Sequence, residues 1–242
     1  MSARIVRRFL LAAALAAVSG CGPFFDEARI TLGRHEYCVP KEYILNSPLP
    51  GWLKSVAKLP PSSPGITLLF PADEVAARIK GFRKFNGQIV DNLMVGVELL
   101  DADGMRAYSD PEMHVFSDAW YGRNRYEDAV LAPHRSGLYQ LRGVMWPVIW
   151  KVLKIRPDPS VRSPDDPYSW HMGSCYEVNS PLAEAHPQYN CSTKYLHENL
   201  QITAYFDEIN LAVVEEIRAF VVERLQSWSM DSRAAVLTEA VR

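Results

Sequence analysis

Leu200–Trp228 reads LQITAYFDEINLAVVEEIRAFVVERLQSW, and two hydrophobic periods meet inside it. Leu200, Ile202, Ala204 and Phe206 alternate with Gln201, Thr203, Tyr205 and Asp207. A period of two sends successive side chains to opposite faces of a strand, so this strand has one apolar face and one half-exposed face. From about Leu211 the period lengthens. Val213, Ile217, Phe220, Val221, Leu225 and Trp228 fall on one helical stripe, with Glu215, Arg218, Glu223 and Arg224 on the wet side. Asn210 is expected to cap that helix. A half-exposed strand followed by a long amphipathic helix predicts an α+β fold: a largely antiparallel sheet, this long C-terminal helix and one shorter helix.

Working outward, more strands appear. Residues 28–39, ARITLGRHEYCV, read as one strand, and Ile66–Phe70 as a brief second one. Leu93, Val95, Val97 and Leu99 alternate in another. Glu112–Phe116, Gly137–Arg142, Pro147–Ile155 and Tyr168–Cys175 complete the set, with Pro147–Ile155 expected in the sheet interior. The shorter helix is expected over Asp73–Phe82, with Asp73 as its N-cap and Val75, Ile79 and Phe82 on one face. Trp52, Leu53 and Val56 suggest a short amphipathic helix inside a proline-rich stretch. Asp101-Ala-Asp-Gly104 reads as a hairpin turn; the pattern is too short of acidic ligands for a calcium loop. No internal repeat or linker divides the chain, so a single domain is expected over 28–230, with a frayed tail over 231–242.

The N-terminus is an address. Arg4, Arg7 and Arg8 precede the apolar run Phe9–Val18, which is too short to span a bilayer. Val18-Ser19-Gly20-Cys21 follows. This resembles the lipobox of bacterial lipoproteins at all four positions. The resemblance implies that residues 1–20 are a signal peptide, that Cys21 carries the acyl chains and that 21–27 is a tether. Gly22, in place of Asp, implies sorting to the outer membrane, facing the periplasm, with the inner membrane as the alternative. Removing residues 1–20 takes three arginines, leaving 23 basic against 28 acidic side chains and a formal charge of −5. That balance lacks the basic footprint of nucleic-acid binders, so no nucleic-acid partner is expected.

Three cysteines remain, in a compartment where disulfides persist. Cys175 and Cys191 flank a loop with Pro181 and Pro187, and a bridge between them is expected, leaving Cys38 as a buried thiol. Pairing of Cys38 with either of the other two stays open.

Motifs of chemistry are missing. The sequence holds no GxSxG, HExxH, Walker loop, GxGxxG or CxxC, and its six histidines show no metal-ligand spacing. Catalytic residues, metal and cofactor are therefore expected to be absent. An envelope hydrolase would have to assemble a site at long range from residues such as His171, His197, Glu198 or Asp118. The more informative feature is RPDPSVRSPDDP, Arg156–Pro167, a long loop stiffened by four prolines and carrying Asp158, Asp165 and Asp166. Proline lowers the entropy lost when a partner clamps such a loop. Trp120 and Tyr121, beside Gly122 and Arg123, are expected as exposed aromatics. These five residues are the candidate partner-binding set.

Taken with the lipobox, the Cys-containing late sheet and the helix after it, the chain resembles periplasmic immunity lipoproteins of the type VI secretion kind. That resemblance implies a membrane-anchored protein that neutralises a toxin, such as a phospholipase, by covering it. An envelope-assembly lipoprotein would differ only in its partner.

Overall fold

A computed structural model of the 242-residue chain describes residues 21, 26–45, 65–84, 92–109, 115–123, 126–143, 149–177 and 189–232. The segment of Trp52, Leu53 and Val56 lies outside them, as do residues 1–20 and 233–242. The chain divides into two compact units, 60–220 on one hand and 1–59 with 221–242 on the other.

The larger unit is built on an eight-stranded, wholly antiparallel sheet. Its strands are β3 (Gly65–Phe70), β4 (Leu93–Leu99), β5 (Val130–Pro133), β6 (Tyr139–Arg142), β7 (Ile149–Leu153), β8 (His171–Glu177), β9 (Tyr189–His197) and β10 (Leu200–Asp207). The spatial order is β3-β4-β10-β9-β8-β7-β6-β5, so β7 is an interior strand, as expected. The alternation that begins at Leu200 decides which face is dry. Leu68, Val95, Ala204 and Thr193 line up across four strands and are fully buried. The next row on that face is Ile66, Val97, Ile202 and Tyr195.

The first turns of helix α4 (Val214–Trp228), through Phe220, pack on this face. Phe220 meets Phe70 edge-on at 5.2 Å, and Ile217 is fully buried. Arg218 lies inside, not on the wet side. Its Nε donates to Thr193 Oγ1 at 2.7 Å, and its other nitrogens donate to the Tyr168, His171 and Met172 carbonyls at 2.9–3.1 Å. The long aliphatic stem and planar fork explain the exception: one side chain satisfies carbonyls where the strand β8 begins. The start of the helix also differs from expectation. A 3₁₀ turn, Glu208–Val213, precedes it, and Asp207 caps that turn by accepting from Ile209 N at 2.9 Å. Asn210 instead clasps residue 83 through both amide atoms, accepting from Arg83 N at 2.7 Å and donating to Arg83 O at 3.0 Å. A buried amide that can both donate and accept is better used closing a long-range pair than capping locally.

The opposite face carries a second core under α3 (Val115–Tyr121). Leu131, Tyr139, Leu141 and Leu153 share that face by register, and Trp120, Tyr126 and Trp170 pack with them. Residues 115 and 116 are thus helical, where a strand over Glu112–Phe116 was expected; residues 110–114 lie outside the described set. Two more short helices complete the unit. Helix α1 (Ala72–Arg78) follows Pro71, not Asp73, with Asn92 Oδ1 accepting from Ala72 N at 3.2 Å. Helix α2 (Ala102–Ser109) replaces the expected hairpin turn, because Asp101 caps it: its Oδ1 accepts from Gly104 N at 2.7 Å. A capping aspartate and a turn aspartate look identical in sequence, since both use the same side-chain oxygen. Tyr168 lies in a 3₁₀ turn, Pro167–Ser169, before β8.

The smaller unit contains a hairpin, β1 (Glu27–Leu32) and β2 (His35–Pro40), where one continuous strand was expected. Gly33, at φ 62°, makes the reversal that a side-chain-bearing residue would resist. Tyr37 pairs with Ser229 just past α4, and Tyr43 stacks on Trp228 with ring centres 5.3 Å apart. Among the described residues no helix is long and apolar enough to cross a membrane.

Candidate partner-binding site

The loop Arg156–Pro167 leaves β7 and returns to β8, and its ends are drawn together where Lys154 N donates to Trp170 O at 2.7 Å. Its tip is a turn organised by Asp158, which accepts from Ser160 N at 2.9 Å and from Ser160 Oγ at 2.6 Å. Val161 N closes that turn on Asp158 O at 3.1 Å. Those bonds, the hydroxyl first, hold the Asp158 carboxyl below the usual aspartate range, so it stays ionised.

Helix α3 braces the loop from beneath. Trp120 Nε1 donates to Val161 O at 2.8 Å, and Tyr121 Oη accepts from Ser163 N at 3.2 Å. The structure therefore brings the sequence-identified aromatic pair and the proline-stiffened loop together. It also corrects the exposure of Trp120, which is only 5% accessible and packs edge-on against Trp170 at 5.0 Å. An indole with one polar atom fills a core and still serves a loop carbonyl. Tyr121 is half-buried, with the Arg123 guanidinium 4.9 Å over its ring.

The three aspartates divide their work. Asp158 shapes the tip. Asp165 is exposed and ion-paired with Arg162 at 2.9 Å. Asp166 caps the 3₁₀ turn through Tyr168 N at 2.9 Å, and its carbonyl receives Ser169 Oγ at 2.6 Å. With Arg156 and Arg162 in the same stretch, the surface is mixed in sign, not simply acidic. The side chains it offers outward include two that sequence reasoning passed over, Val161 at 54% exposure and Ile155 at 43%. The signal was there in an isolated valine between Ser160 and Arg162.

Cys175 and Cys191 are bonded, and they face each other in register on β8 and β9. Cys38 is bonded as well, to Cys21, which corrects its assignment as a leftover thiol. A strand residue lying beside the chain entering β1 finds a partner the spacing did not suggest. Cys21, Glu27 and Cys38 also have metal-like proximity, but the bond between the two sulfurs removes both thiolates.

The residues weighed for a hydrolase are dispersed in role. His171 is buried at the start of β8, and desolvation, then Lys151 and Arg218, hold its imidazole far below the usual histidine range. Glu198 stands in the β9–β10 turn at φ 56°, His197 ends β9, and Asp118 lies on α3. A hydrogen-bonded chain that the sequence did not reveal is Ser136–His134–Glu208. His134 Nδ1 lies 2.8 Å from Ser136 Oγ, and Nε2 lies 2.8 Å from Glu208 Oε1.

No family model and no curated protein matches the chain. One solved structure similar to it is that of an immunity protein of the Stenotrophomonas maltophilia type IV secretion system. The two are 12% identical, the likeness covers 82% of this chain and 92% of that one, and the TM-score is 0.44.

Proposed function

We propose that this protein is a lipid-anchored envelope protein that binds and neutralises a protein toxin, as an immunity protein for a type VI secretion effector acting on phospholipid or cell wall. The observation that carries the reading is the braced loop: Trp120 holds the Val161 carbonyl from below while the Val161 side chain stays exposed. A loop already fixed in one conformation loses less entropy on binding, and apolar anchors ringed by charge suit a stable interface. Asp158 and the Arg162–Asp165 pair at the rim steer encounter more than they add affinity.

The lipid anchor is part of the same proposal and rests on Val18-Ser19-Gly20-Cys21. One sulfur cannot carry both a diacylglyceryl group and a disulfide, so lipidation of Cys21 and the Cys21–Cys38 bond exclude each other. Cys21→Ser should abolish metabolic palmitate labelling and release the protein from membranes. Wild-type protein that takes up no label ends the lipoprotein reading and, with it, the outer-membrane periplasmic location.

The immunity reading is tested by deleting the gene in a toxin-secreting strain and competing it against its parent. Killing of the deletion strain, rescued by the wild-type gene and poorly by a Val161→Asp/Ile155→Asp variant, is the expected result. Equal survival with all effectors expressed defeats it.

One observation favours a second reading, an envelope hydrolase. Ser136, His134 and Glu208 are hydrogen-bonded in the order a serine nucleophile, base and orienting acid require. Against it, Ser136 N also donates to the same His134 Nδ1 at 3.2 Å, which is how a side chain locks a tight turn. Covalent labelling by a fluorophosphonate, lost in Ser136→Ala, decides between them.

A further inference from the structure

Two chemistries claim the sulfur of Cys21. It closes the motif Val18-Ser19-Gly20-Cys21, and its Sγ is bonded to that of Cys38. Cys38 lies on β2, opposite Arg29 of β1, and is 1% exposed. Cys21 is half-buried against the same strand, its sulfur 3.9 Å from Tyr37 O. A second tie holds the chain where it enters β1: Lys41 N donates to Asp26 O at 3.0 Å, and Lys41 Nζ pairs with the Asp26 carboxylate at 2.8 Å. The hairpin is zipped through six register pairs, from Glu27–Pro40 to Leu32–His35, and none involves Cys21. Its ladder is therefore compatible with either group on the Cys21 sulfur.

Each chemistry consumes the Cys21 thiol. Diacylglyceryl transfer bonds the sulfur to a glyceryl carbon of a phospholipid, breaks the C–O bond to the phosphate headgroup and releases the thiol proton to solvent. Oxidation joins Cys21 to Cys38, and their two protons and two electrons pass to an external disulfide, which leaves as a dithiol. Neither product returns easily to the thiol. A thioether takes no part in thiol–disulfide exchange, and exchange at Cys38 needs access to a sulfur the folded hairpin has buried. The outcome is thus decided by which reagent arrives first. The two cysteines are consecutive, 17 positions apart, and reach the envelope before Cys175 and Cys191, so no rival thiol is present when they meet. A loop of that size closes on the order of 100 ns, so the oxidant and not the encounter limits the bond.

We propose that Cys38 competes with the lipid for Cys21, so that the chain matures into one of two exclusive forms: acylated with a Cys38 thiol, or closed by the Cys21–Cys38 bond and unacylated. The supply of oxidant in the envelope sets the proportion. The inference rests on the lipoprotein reading of Val18–Cys21 and is independent of which toxin the protein binds.

The test expresses the full chain, signal included, with labelled palmitate in a Gram-negative host and in the same host deprived of its envelope disulfide donor. Thiols are capped with a maleimide in denaturant, and peptide mapping without reductant follows the link between the Cys21 and Cys38 peptides. In the parent host the expected result is a labelled pool with Cys38 capped and an unlabelled pool yielding the linked peptides. Without the disulfide donor the linked peptides should be lost and the label should rise to match, about twofold where the two pools start equal. Cys38→Ala should give the same rise in the parent host and make the label indifferent to the donor. Cys38 is buried, so Cys38→Ser is run beside it, and the wild-type comparison between hosts needs no variant. Wild-type protein labelled equally in both hosts, with Cys38 capped throughout, overturns the inference and leaves the lipid anchor standing. Linked peptides with no label in either host or in Cys38→Ala defeat the lipoprotein reading, and the inference with it.

Discussion

His171 begins β8 as a histidine that does not behave as one. Burial, Lys151 and Arg218 all disfavour its charged form. The native state therefore refuses a proton that the unfolded chain accepts below about pH 6.5. More protons on the unfolded state means that stability falls as pH drops, with a limiting slope of about 1.4 kcal/mol per pH unit for one group. Denaturant melts at about pH 7 and about pH 5 should show this loss, and His171→Gln should remove its share of the difference. Two residues on, Gly173 is at φ 156°, and a Cβ there would overlap the carbonyl oxygen of Ser192 on β9. Backbone cannot yield as a side-chain tip can. Gly173→Ala should cost about 3 kcal/mol or more, measured as a lowered denaturation midpoint at unchanged slope. Neither effect is legible in HMGSC read alone, because both are imposed by the neighbouring strand and helix.

Hairpin and helix geometry set the next scale. The β9–β10 loop is two residues long, Glu198 and Asn199, with His197 opposite Leu200. Its first residue carries positive φ, the position where hairpins of this length prefer glycine. Glu198→Gly should raise stability by up to about 1 kcal/mol, read from the thermal midpoint. The sequence offers no sign of the left-handed residue at Glu198. Helix α3 makes the second case. Trp120→Phe keeps most of the ring in its core but removes the donor to Val161 O. The expected cost is about 1 kcal/mol globally. The sharper sign is local: limited proteolysis within 156–167 should quicken several-fold in the variant. An unchanged cleavage rate would mean the prolines alone stiffen the loop. Trp120 and the loop were each visible as candidates, yet their contact joins residues 41 positions apart and no local pattern announces it.

At the scale of the whole molecule, the Cys175–Cys191 bridge closes a separation of 16 residues. The chain-entropy account assigns about 3 kcal/mol to a loop of that size. For a protein of this length that is a thermal shift of roughly 6–12 °C. The Cys175→Ser/Cys191→Ser double variant should melt lower by that amount. The bond joins two strands already in register, so its loss should weaken the sheet without changing its order.

Some features of this protein are local enough for the sequence to determine. The period-two run from Leu200 and the longer period after Leu211 set the strand, the helix and the α+β class, because burial on one face demands those spacings in any fold. The proline-stiffened loop is equally local, since proline constrains its own backbone. Tertiary structure alone decided the rest. Whether Asp101 begins a turn or a helix, whether Asn210 caps or clasps, and whether Arg218 faces water or carbonyls all depend on partners far away in sequence. Trp120 belongs with them: beside Gly122 and Arg123 it reads as exposed until Trp170 and the Val161 carbonyl are found against it.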